Sequence, residues 1–230
     1  MKESDIMLNV GLRIYTKISR PPRELIEGFA GLPVSNIADM MNRMFCLDAT
    51  IRPINSAPLL GPAFTVKARA GDNLLLHKAL DLALPGDILM VDAQGDLSNS
   101  LLGELMALWA KKRGIGGIVI DGAIRDAGSL KKMDIPIYAA GITPAGPYKE
   151  GPGEINSPIS CGGVVIHPGD IIVGDEDGVV VIKTEDAPEL LKKAKAKHLA
   201  EQKTMEEIRD MKWDRTWIDK TLQDRGCEYV

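Results

Sequence analysis

GDLSNSLLGELMALWAKKRGIGGIVIDGAIRD, residues 95–126, is the stretch that decides the fold. Its helical pattern predicts a helix over about residues 102–113, roughly a dozen residues or about 17 Å. The apolar run over residues 117–122 then predicts a buried strand that returns about 17–20 Å in the opposite direction. Because the two lengths match, the start of the helix and the end of the strand should lie at the same end of the unit.

Polar and charged residues gather at that shared end. Asn99 or Ser100 is the predicted N-cap of the helix, and Glu104 lies in its first turn. Arg125 and Asp126 come directly after the strand. The open carboxyl end of sheet strands is also where α/β proteins commonly bind ligands. We therefore expect the three charged side chains to converge on one site.

Such a cluster has the composition of a site for an anion and a metal ion. The free amides of a helix N-terminus, here those of Leu105 and Met106, bind a carboxylate with help from the helix dipole. Arg125 can clamp the same anion through two hydrogen bonds. Asp126 and Glu104 supply the hard oxygen ligands that Mg²⁺ or Mn²⁺ prefers. An arginine beside a metal-bound 2-oxo group would stabilise a developing enolate.

A purely structural interpretation of these residues stays open on spacing alone. Asp126 could cap a helix that begins at Ala127. Arg125 could pair with Glu104 at the surface, an interaction worth roughly 0–1 kcal/mol. Spacing by itself favours this interpretation, so the functional one depends on a further observation.

The rest of the chain alternates between helical and strand patterns. Strands are predicted for GPAFTVKARA, ILMVDA and IPIYAAG, and three more for the run GGVVIHPGDIIVGDEDGVVVI. Helices are predicted for GDNLLLHKALDLAL and for a long charged run over about residues 184–211. This order predicts a single domain over residues 1–230. We expect a layered α/β/α-type sandwich with a central mixed sheet and a long C-terminal helix.

Composition narrows the functional classes. The 230 residues are 45% hydrophobic and 26% charged, with a formal net charge of −4, which does not favour a nucleic-acid partner. The three cysteines form no CxxC pair, which argues against a disulfide framework and a structural zinc site. No secretory pattern and no run long enough for a membrane span are present, so a cytoplasmic location and no membrane partner are expected.

One connection is longer than a compact domain usually contains. Residues 142–160, ITPAGPYKEGPGEINSPIS, hold four prolines and three glycines. Connections above roughly 12–15 residues without structure of their own are usually functional or disordered. The segment is therefore either a surface loop stiffened by proline, or a flap over a site or an arm that reaches a partner subunit.

The stretch 95–126 resembles the signature of the RraA-like family. That family includes 4-hydroxy-4-methyl-2-oxoglutarate aldolase, 4-carboxy-4-hydroxy-2-oxoadipate aldolase and the regulator of ribonuclease activity A. Its active members carry an acidic residue, twenty intervening residues and then Arg-Asp, as Glu104 and Arg125-Asp126 do here. The resemblance extends to LLGPAFTVKARAGDNLLLHKAL, PGDILMVDAQGD and CGGVVIHPGDIIVGDEDGVVVI, and covers roughly residues 32–201.

The resemblance implies a role for each residue of the cluster. Arg125 would bind the pyruvate moiety and stabilise its enolate. Asp126 would hold a Mg²⁺ or Mn²⁺ ion, partly through water, and Glu104 would help to position the metal or a water. The amides from Gly103 to Met106 would bind the carboxylate of the substrate.

The resemblance also implies an oligomer. The family uses an acidic residue from the C-terminal helix of an adjacent subunit, and Glu201 is the best positional match, with Glu206 and Glu207 as rivals. A homotrimer or a homohexamer is therefore expected. Trp213 and Trp217 in the tail would be unusual if exposed on a monomer, so residues 184–230 are expected at the subunit interface.

The implied activity is that of a divalent-metal-dependent class II lyase. It would cleave 4-hydroxy-2-oxo diacids or triacids to pyruvate and a 2-oxo acid, and would also decarboxylate oxaloacetate, since both reactions pass through pyruvate enolate. The alternative is a non-enzymatic regulator that binds a ribonuclease, which would not need Glu104, Arg125 and Asp126.

Three further residues have open roles. Asn73 is either the cap of the helix that follows it or a substrate contact. His77 either lines the site or is structural, as most single histidines on helices are. Lys149, in the long connection, could meet a distal carboxylate of the substrate.

Overall fold

A nine-stranded mixed sheet is the centre of the computed structural model, which describes residues 9–228 and residue 230. Its strands are β1 (Leu12–Ile14), β2 (Arg52–Pro53), β3 (Leu59–Ala68), β4 (Ile88–Leu102), β5 (Gly117–Ile124), β6 (Ile137–Ile142), β7 (Gly153–Ile155), β10 (Ile171–Asp175) and β11 (Gly178–Ile182). A separate hairpin consists of β8 (Ile159–Cys161) and β9 (Val164–Ile166). The helices are α1 (Arg23–Glu27), α2 (Val34–Met40), α3 (Leu74–Leu82), α4 (Glu104–Lys112), α5 (Ala127–Leu130), α6 (Ala187–Arg209) and α7 (Thr216–Asp224).

Four parallel strands, β3 to β6, lie side by side in the middle of the sheet. Their apolar residues alternate between two cores. Leu89 and Val91 pack toward α3, α4 and α5, whereas Ile88 and Met90 face the opposite side. Burial on both faces explains why these strands are nearly continuous apolar runs in the sequence.

An additional layer of strands covers the second face of the sheet. Strand β10 pairs with β3 and β11 pairs with β10, and both have two buried faces. Ile172 and Val181 face the central sheet, while Ile171 and Val180 face α2 and α6. The predicted α/β sandwich with a central mixed sheet and a long C-terminal helix is confirmed, and the β10–β11 arm of the sheet lies between strands β3 to β6 and the outer helices α2 and α6.

Strand β4 is longer than the sequence pattern predicted. It continues through register shifts to Leu102, because it stays paired with β5 over its last residues. Asn99 and Ser100 therefore lie inside the strand, and the prediction that one of them caps the following helix is wrong. Their side chains instead donate hydrogen bonds to the carbonyl oxygens of Gly146 (2.6 Å) and Ala145 (2.7 Å).

The long connection over residues 142–160 is more than a surface loop stiffened by proline, because it has structure of its own. Residues 153–155 form β7, which lies between β1 and β3 in the sheet. Residues 146–151 lie against the start of α3, where Tyr148 forms an isolated bridge with Asp72. Three residues among prolines and glycines are too few for a strand pattern to be recognised.

Asp72 holds this segment in place. Its buried carboxylate accepts hydrogen bonds from the backbone N–H groups of Glu150 (2.6 Å), Gly151 (2.9 Å) and Leu74 (2.9 Å). Burial alone would raise the pKa of Asp72, but these three donors outweigh it and the net shift is downward. The carboxylate is therefore ionised at neutral pH and fixes residues 148–151 beside the first turn of α3.

The C-terminal region leaves aromatic side chains in solvent. Trp213 is 43% exposed and Trp217, in α7, is 59% exposed. Both rings are therefore exposed in the single chain, and their packing against a neighbouring subunit stays a prediction. Among the residues that the structure describes, no helix is both long and apolar enough to cross a membrane.

Candidate active site

The site is built where β4 and β5 end together. Leu102 and Ile124 are register partners at the last position of the pairing, and the Arg125 N–H donates a hydrogen bond to the Leu102 carbonyl at 2.9 Å. Helix α4 begins two residues after Leu102, at Glu104. The predicted convergence of the helix N-terminus with the strand C-terminus is confirmed.

Asp126 has an uncommon backbone conformation. Its φ of 56° and ψ of 32° lie in the left-handed region, where residues other than glycine are rare. It precedes α5, yet its side chain makes no capping hydrogen bond there. Its Oδ2 instead accepts a hydrogen bond from the Glu104 N–H at 2.9 Å. The interpretation of Asp126 as a cap of α5 is therefore wrong, because the carboxylate serves the start of α4.

The Arg125 guanidinium lies beside the Asp126 carboxylate but forms no hydrogen bond with it. Its Nε is 3.7 Å from Asp126 Oδ2, too far for a hydrogen bond, and its side chain is 46% exposed. No ion pair joins Arg125 and Glu104 within residues 9–228, so the alternative of a surface pair between them is wrong. The donors of the guanidinium group remain available to an anion.

Gly103 lies against the side chains of Arg125 and Asp126. A Cβ at this position would lie 2.5 Å from Asp126 Oδ2 and 3.0 Å from Arg125 Nε. Its φ of −140° and ψ of −175° describe extended backbone that any residue can adopt. A methyl group here would therefore displace the Asp126 carboxylate for reasons of space and not of backbone conformation, a constraint that the sequence reasoning, concerned only with the Gly103 amide, did not identify.

These residues line a cleft of about 310 Å³. It lies between the first turn of α4, the end of β5, the first turns of α3 and the segment that follows β6. Its lining residues are Asn73, His77, Ser100, Leu101, Leu102, Gly103, Glu104, Leu105, Met106, Arg125, Asp126, Pro147 and Lys149. The cleft thus contains every predicted site residue except Glu201, together with His77 and Lys149.

Asn73 joins two walls of the cleft. It precedes α3, but its side chain makes no capping bond, and Asp72 caps that helix instead. The Asn73 Nδ2 donates to the Leu101 carbonyl at 2.9 Å and approaches the Met106 sulfur at 3.4 Å. Of the two roles left open for Asn73, the side-chain cap is wrong, and its side chain holds α3 against the β4–α4 turn.

The donor set of the cleft is compatible with a hydrated divalent cation. Mg²⁺ usually keeps several waters and is held by one or two carboxylates plus oxygens of the substrate. Asp126 and Glu104 supply two carboxylates on one side of the cleft. In the described part of the chain, no three His, Cys, Asp or Glu residues are grouped as a self-sufficient metal site. The residues therefore fit an ion that water and substrate help to coordinate.

Glu201 lies elsewhere in the protomer. It belongs to α6, and its carboxylate pairs with Lys197 at 3.0 Å. Lys197 also approaches Asp39 of α2 at 3.7 Å, which raises the pKa of Lys197 further beyond the effect of Glu201. Helix α6 packs on the outer side of the β10–β11 arm, across the molecule from α4. Only a second subunit could bring a Glu201 to the cleft.

A larger cleft, of about 510 Å³, lies near the start of β4. Of its two arginines, Arg20 is already bound by two hydrogen bonds to the buried Asp87 carboxylate, at 2.7 and 2.6 Å, and Arg23 pairs with Glu27 at 2.6 Å. The pairing with Asp87 raises the pKa of Arg20. The charge of Arg20 is compensated by Asp87 within the fold. Size alone would favour this cleft, but the smaller one has the Arg125 guanidinium, which makes no side-chain hydrogen bond within residues 9–228, together with the helix N-terminus and the two carboxylates.

Comparisons with known proteins give one consistent result. The model of the RraA-like family, described as Aldolase/RraA, matches residues 34–181. A Halalkalibacterium halodurans protein provisionally named 4-hydroxy-4-methyl-2-oxoglutarate aldolase is 42% identical over 194 residues, which are 84% of this chain and 92% of that protein.

Solved structures agree with this result. The RNA-processing inhibitor RraA from Thermus thermophilus is 31% identical, with a TM-score of 0.61 over 65% of this chain and 92% of that one. RraAS2 from Streptomyces coelicolor, called an unusual member of the RNase ES inhibitor RraA family, is 28% identical. Its TM-score is 0.72 over 83% of this chain and 100% of that one.

Proposed function

The chain belongs to the RraA-like family, and on that premise we propose that it is a divalent-metal-dependent class II lyase. Its substrates are 4-hydroxy-2-oxo acids with a further carboxylate, of the 4-hydroxy-4-methyl-2-oxoglutarate or 4-carboxy-4-hydroxy-2-oxoadipate type. The products are pyruvate and a second 2-oxo acid. One observation carries the proposal: Arg125, Asp126 and the first turn of α4 line one cleft, joined by the hydrogen bond from Glu104 N–H to Asp126.

The start of α4 binds the substrate carboxylate next to the 2-oxo group. The first intrahelical hydrogen bond is donated by Ala107 to Gly103, so the amides of Leu105 and Met106 precede it. Such first-turn amides, together with the positive end of the helix dipole, favour an anion. Arg125 adds a full positive charge on the same side of the cleft.

Two carboxylates support a divalent cation beside that position. Asp126 and Glu104 would hold Mg²⁺ or Mn²⁺, which when bound would polarise the 2-oxo group of the substrate. The Glu104 N–H donates a hydrogen bond to Asp126 Oδ2 and thereby orients the carboxylate. The other oxygen, Oδ1, makes no hydrogen bond within the described residues. Asp126 and Glu104 would therefore hold the ion in the same cleft in which Arg125 binds the substrate.

Bond cleavage follows from this arrangement. The Glu104 carboxylate accepts the proton of the C4 hydroxyl through a water, the C4–O bond becomes a carbonyl, and the C3–C4 bond breaks. The electron pair moves onto the pyruvate enolate, whose negative oxygen the Arg125 guanidinium stabilises. A proton from water then adds to C3 and gives pyruvate. Oxaloacetate loses CO₂ to form the same enolate, so oxaloacetate decarboxylation is part of the proposal.

The first test is pyruvate release by the purified protein from 4-hydroxy-4-methyl-2-oxoglutarate and from oxaloacetate, each with Mg²⁺ and with EDTA. We expect turnover of both substrates with the metal and a large loss with EDTA, with Asp126→Asn losing activity at equal folding. Turnover that EDTA leaves unchanged would contradict metal dependence. Absence of turnover in folded, Mg²⁺-supplied protein would contradict the lyase proposal as a whole.

A regulator that binds a ribonuclease is the second candidate, supported by the name of the Thermus relative. Such a role needs no cluster of Arg125, Asp126 and a helix N-terminus in a cleft. If the protein proves inactive as a lyase, a pull-down with a ribonuclease of the RNase E type and an inhibition assay would decide for this candidate. Turnover in the first test would decide against it as the main function.

We propose in addition that the protein is a homotrimer or a homohexamer in which a neighbouring α6 completes each site. The distance of Glu201 from its own cleft and the exposure of Trp213 and Trp217 support this proposal. Light scattering coupled to size exclusion is expected to give three or six times the 24.9 kDa chain mass. A monomer at working concentration would remove Glu201, Glu206 and Glu207 from the candidate site.

A further inference from the structure

We propose that Asp72 is a positioning residue for the reaction, because its buried carboxylate fixes one wall of the candidate cleft. The wall is the segment of residues 146–151, from which Pro147 and Lys149 line the cleft. Asp72 is not itself among the lining residues and so acts through the segment. This inference rests on the proposed function, since the substrate of the lyase must bind in that cleft.

Strand β4 holds the first end of the segment. The Ser100 N–H and the Ser100 hydroxyl both donate to the Ala145 carbonyl, at 2.8 and 2.7 Å. The Asn99 side chain donates to the Gly146 carbonyl at 2.6 Å. None of these three hydrogen bonds involves Asp72, so the first end should keep its place when Asp72 is changed.

The turn before α3 holds the second end, and it does so through Asp72. Asp72 Oδ2 accepts hydrogen bonds from the N–H groups of Glu150 at 2.6 Å and Gly151 at 2.9 Å. The other oxygen, Oδ1, accepts the Leu74 N–H at 2.9 Å and caps α3. One side chain therefore joins the segment to the first turn of α3.

The carboxylate is the main contact at this end. Among the described residues, the N–H groups of Glu150 and Gly151 have no other acceptor. Arg69 adds a longer hydrogen bond, from its Nη1 to the Gly151 carbonyl at 3.3 Å. Residues 149–151 therefore depend on Asp72 for their position against α3.

Backbone hydrogen bonds hold the middle of the segment at Tyr148. The Tyr148 N–H donates to the Gly71 carbonyl at 2.8 Å, and the Tyr148 carbonyl accepts from the Asn73 N–H at 3.0 Å. Gly71 and Asn73 lie on either side of Asp72 in the turn. A shift of Asp72 would therefore also reach Tyr148.

An uncharged side chain of the same size could not replace this carboxylate. Ionised aspartate offers two acceptor oxygens, whereas asparagine offers one and places an NH₂ donor at the other position. In Asp72→Asn, at least one of the three backbone donors would face another donor or stay unpaired. Asp72 is only 2% exposed, so water gives little compensation. We therefore expect the second end of the segment to loosen in this variant.

The opposite wall of the cleft is built independently of Asp72. Arg125 and Asp126 follow β5, and their place is set by the pairing of β4 with β5. The hydrogen bond from the Glu104 N–H then orients the Asp126 carboxylate. Loss of the Asp72 charge should therefore impair substrate binding more than bond cleavage.

The test is steady-state pyruvate release from oxaloacetate by Asp72→Asn with saturating Mg²⁺. We expect KM to rise about 10-fold while kcat stays within about threefold of the wild type, the pattern of lost uniform binding. Hydrogen exchange should become faster at residues 148–151 and stay unchanged in α4. Asp48→Asn is the matched control, because Asp48 also accepts a backbone N–H, from Thr50 at 2.8 Å, but lies outside the segment and the cleft lining. It should keep the KM and kcat of the wild type.

A purely structural role of Asp72 would give another result. It would lower the melting temperature and the fraction of folded enzyme, which lowers the apparent kcat and leaves KM unchanged. An unchanged KM in folded Asp72→Asn protein would therefore overturn the inference. Should that variant not fold, Asp72→Glu decides, since it keeps the charge but moves the acceptor oxygens by one methylene. A raised KM in Asp72→Glu would support the positioning role, and a wild-type KM would overturn it.

Pyruvate binding separates this inference from the proposed function. If the wild type releases no pyruvate, the lyase is rejected, and calorimetry with pyruvate and Mg²⁺ tests Asp72 alone. Binding about 10-fold weaker in Asp72→Asn would retain Asp72 as a positioning residue of the cleft. Equal binding, or no binding by the wild type, would reject it. Turnover with a wild-type KM in Asp72→Asn would retain the lyase and reject the positioning role.

Discussion

Arg125→Ala is expected to lower kcat/KM for pyruvate release by about 10³-fold, from oxaloacetate and from 4-hydroxy-4-methyl-2-oxoglutarate alike. Removal of one donor that stabilises an oxyanion typically costs about 10²–10³ in rate, and this arginine would also bind the substrate carboxylate. Its side chain is 46% exposed and makes no close ion pair, so its loss should hardly change the free energy of unfolding. Initial rates and a thermal melt, measured on the same preparation, test both statements.

Two further variants sharpen this result. Arg125→Lys keeps the charge but loses the planar fork of donors, and should remain impaired by about 10²-fold if two-point binding matters. Arg113→Ala is the matched control, because Arg113 is an exposed arginine just after the far end of α4. Its activity should equal that of the wild type. A fully active Arg125→Ala protein would reject the enolate-stabilising site.

Gly103→Ala is expected to reduce kcat by about 10²-fold although the substitution adds only one methyl group. The new Cβ would lie 2.5 Å from Asp126 Oδ2 and 3.0 Å from Arg125 Nε, so at least the carboxylate must move. That movement breaks the hydrogen bond from the Glu104 N–H, which orients Asp126. A displacement of about 1 Å in a catalytic constellation can cost about 10²-fold in rate.

Gly128→Ala is the control for Gly103→Ala. Gly128 lies in α5, two residues after Asp126, and a Cβ there would meet no atom within 4 Å. Its activity should stay within about twofold of the wild type, since a helical Gly→Ala change acts mainly on stability, by up to about 1 kcal/mol. Wild-type activity in Gly103→Ala would mean that Asp126 does not need its observed position, and would weaken its assignment as a metal ligand.

The local sequence pattern was sufficient to predict the helix and the strand of residues 95–126, which carry the candidate site. The helix and the strand within residues 95–126 have matching lengths, and a connection of that size can only return antiparallel to itself. Glu104, Arg125 and Asp126 were therefore predicted at one end, and the hydrogen bond from Arg125 N–H to the Leu102 carbonyl confirms it. The apolar runs of the parallel strands were equally readable, because strands buried on both faces admit few polar residues.

The hydrogen-bond partners of the polar side chains could not be predicted from the same sequence pattern. Asp126, Asn73 and Asn99 each precede or approach a helix, and local propensity favours all three as caps. The structure gives their hydrogen bonds to other elements: Glu104 N–H, the Leu101 carbonyl and the Gly146 carbonyl. Propensity describes what a residue can do within its own segment, whereas packing brings a competing partner from a segment far away in the chain.

The sequence by itself determined the α/β architecture, the family and the end of the sheet at which the charged residues meet. Periodicity and chain length set these features, and they depend on contacts between neighbouring segments. Only the tertiary structure decided that a Cβ at Gly103 would meet the Asp126 carboxylate, that Lys149 lines the cleft and that Glu201 lies outside the cleft of its own protomer. These features depend on distances between residues that are remote in the chain, because they arise only once the layers have packed.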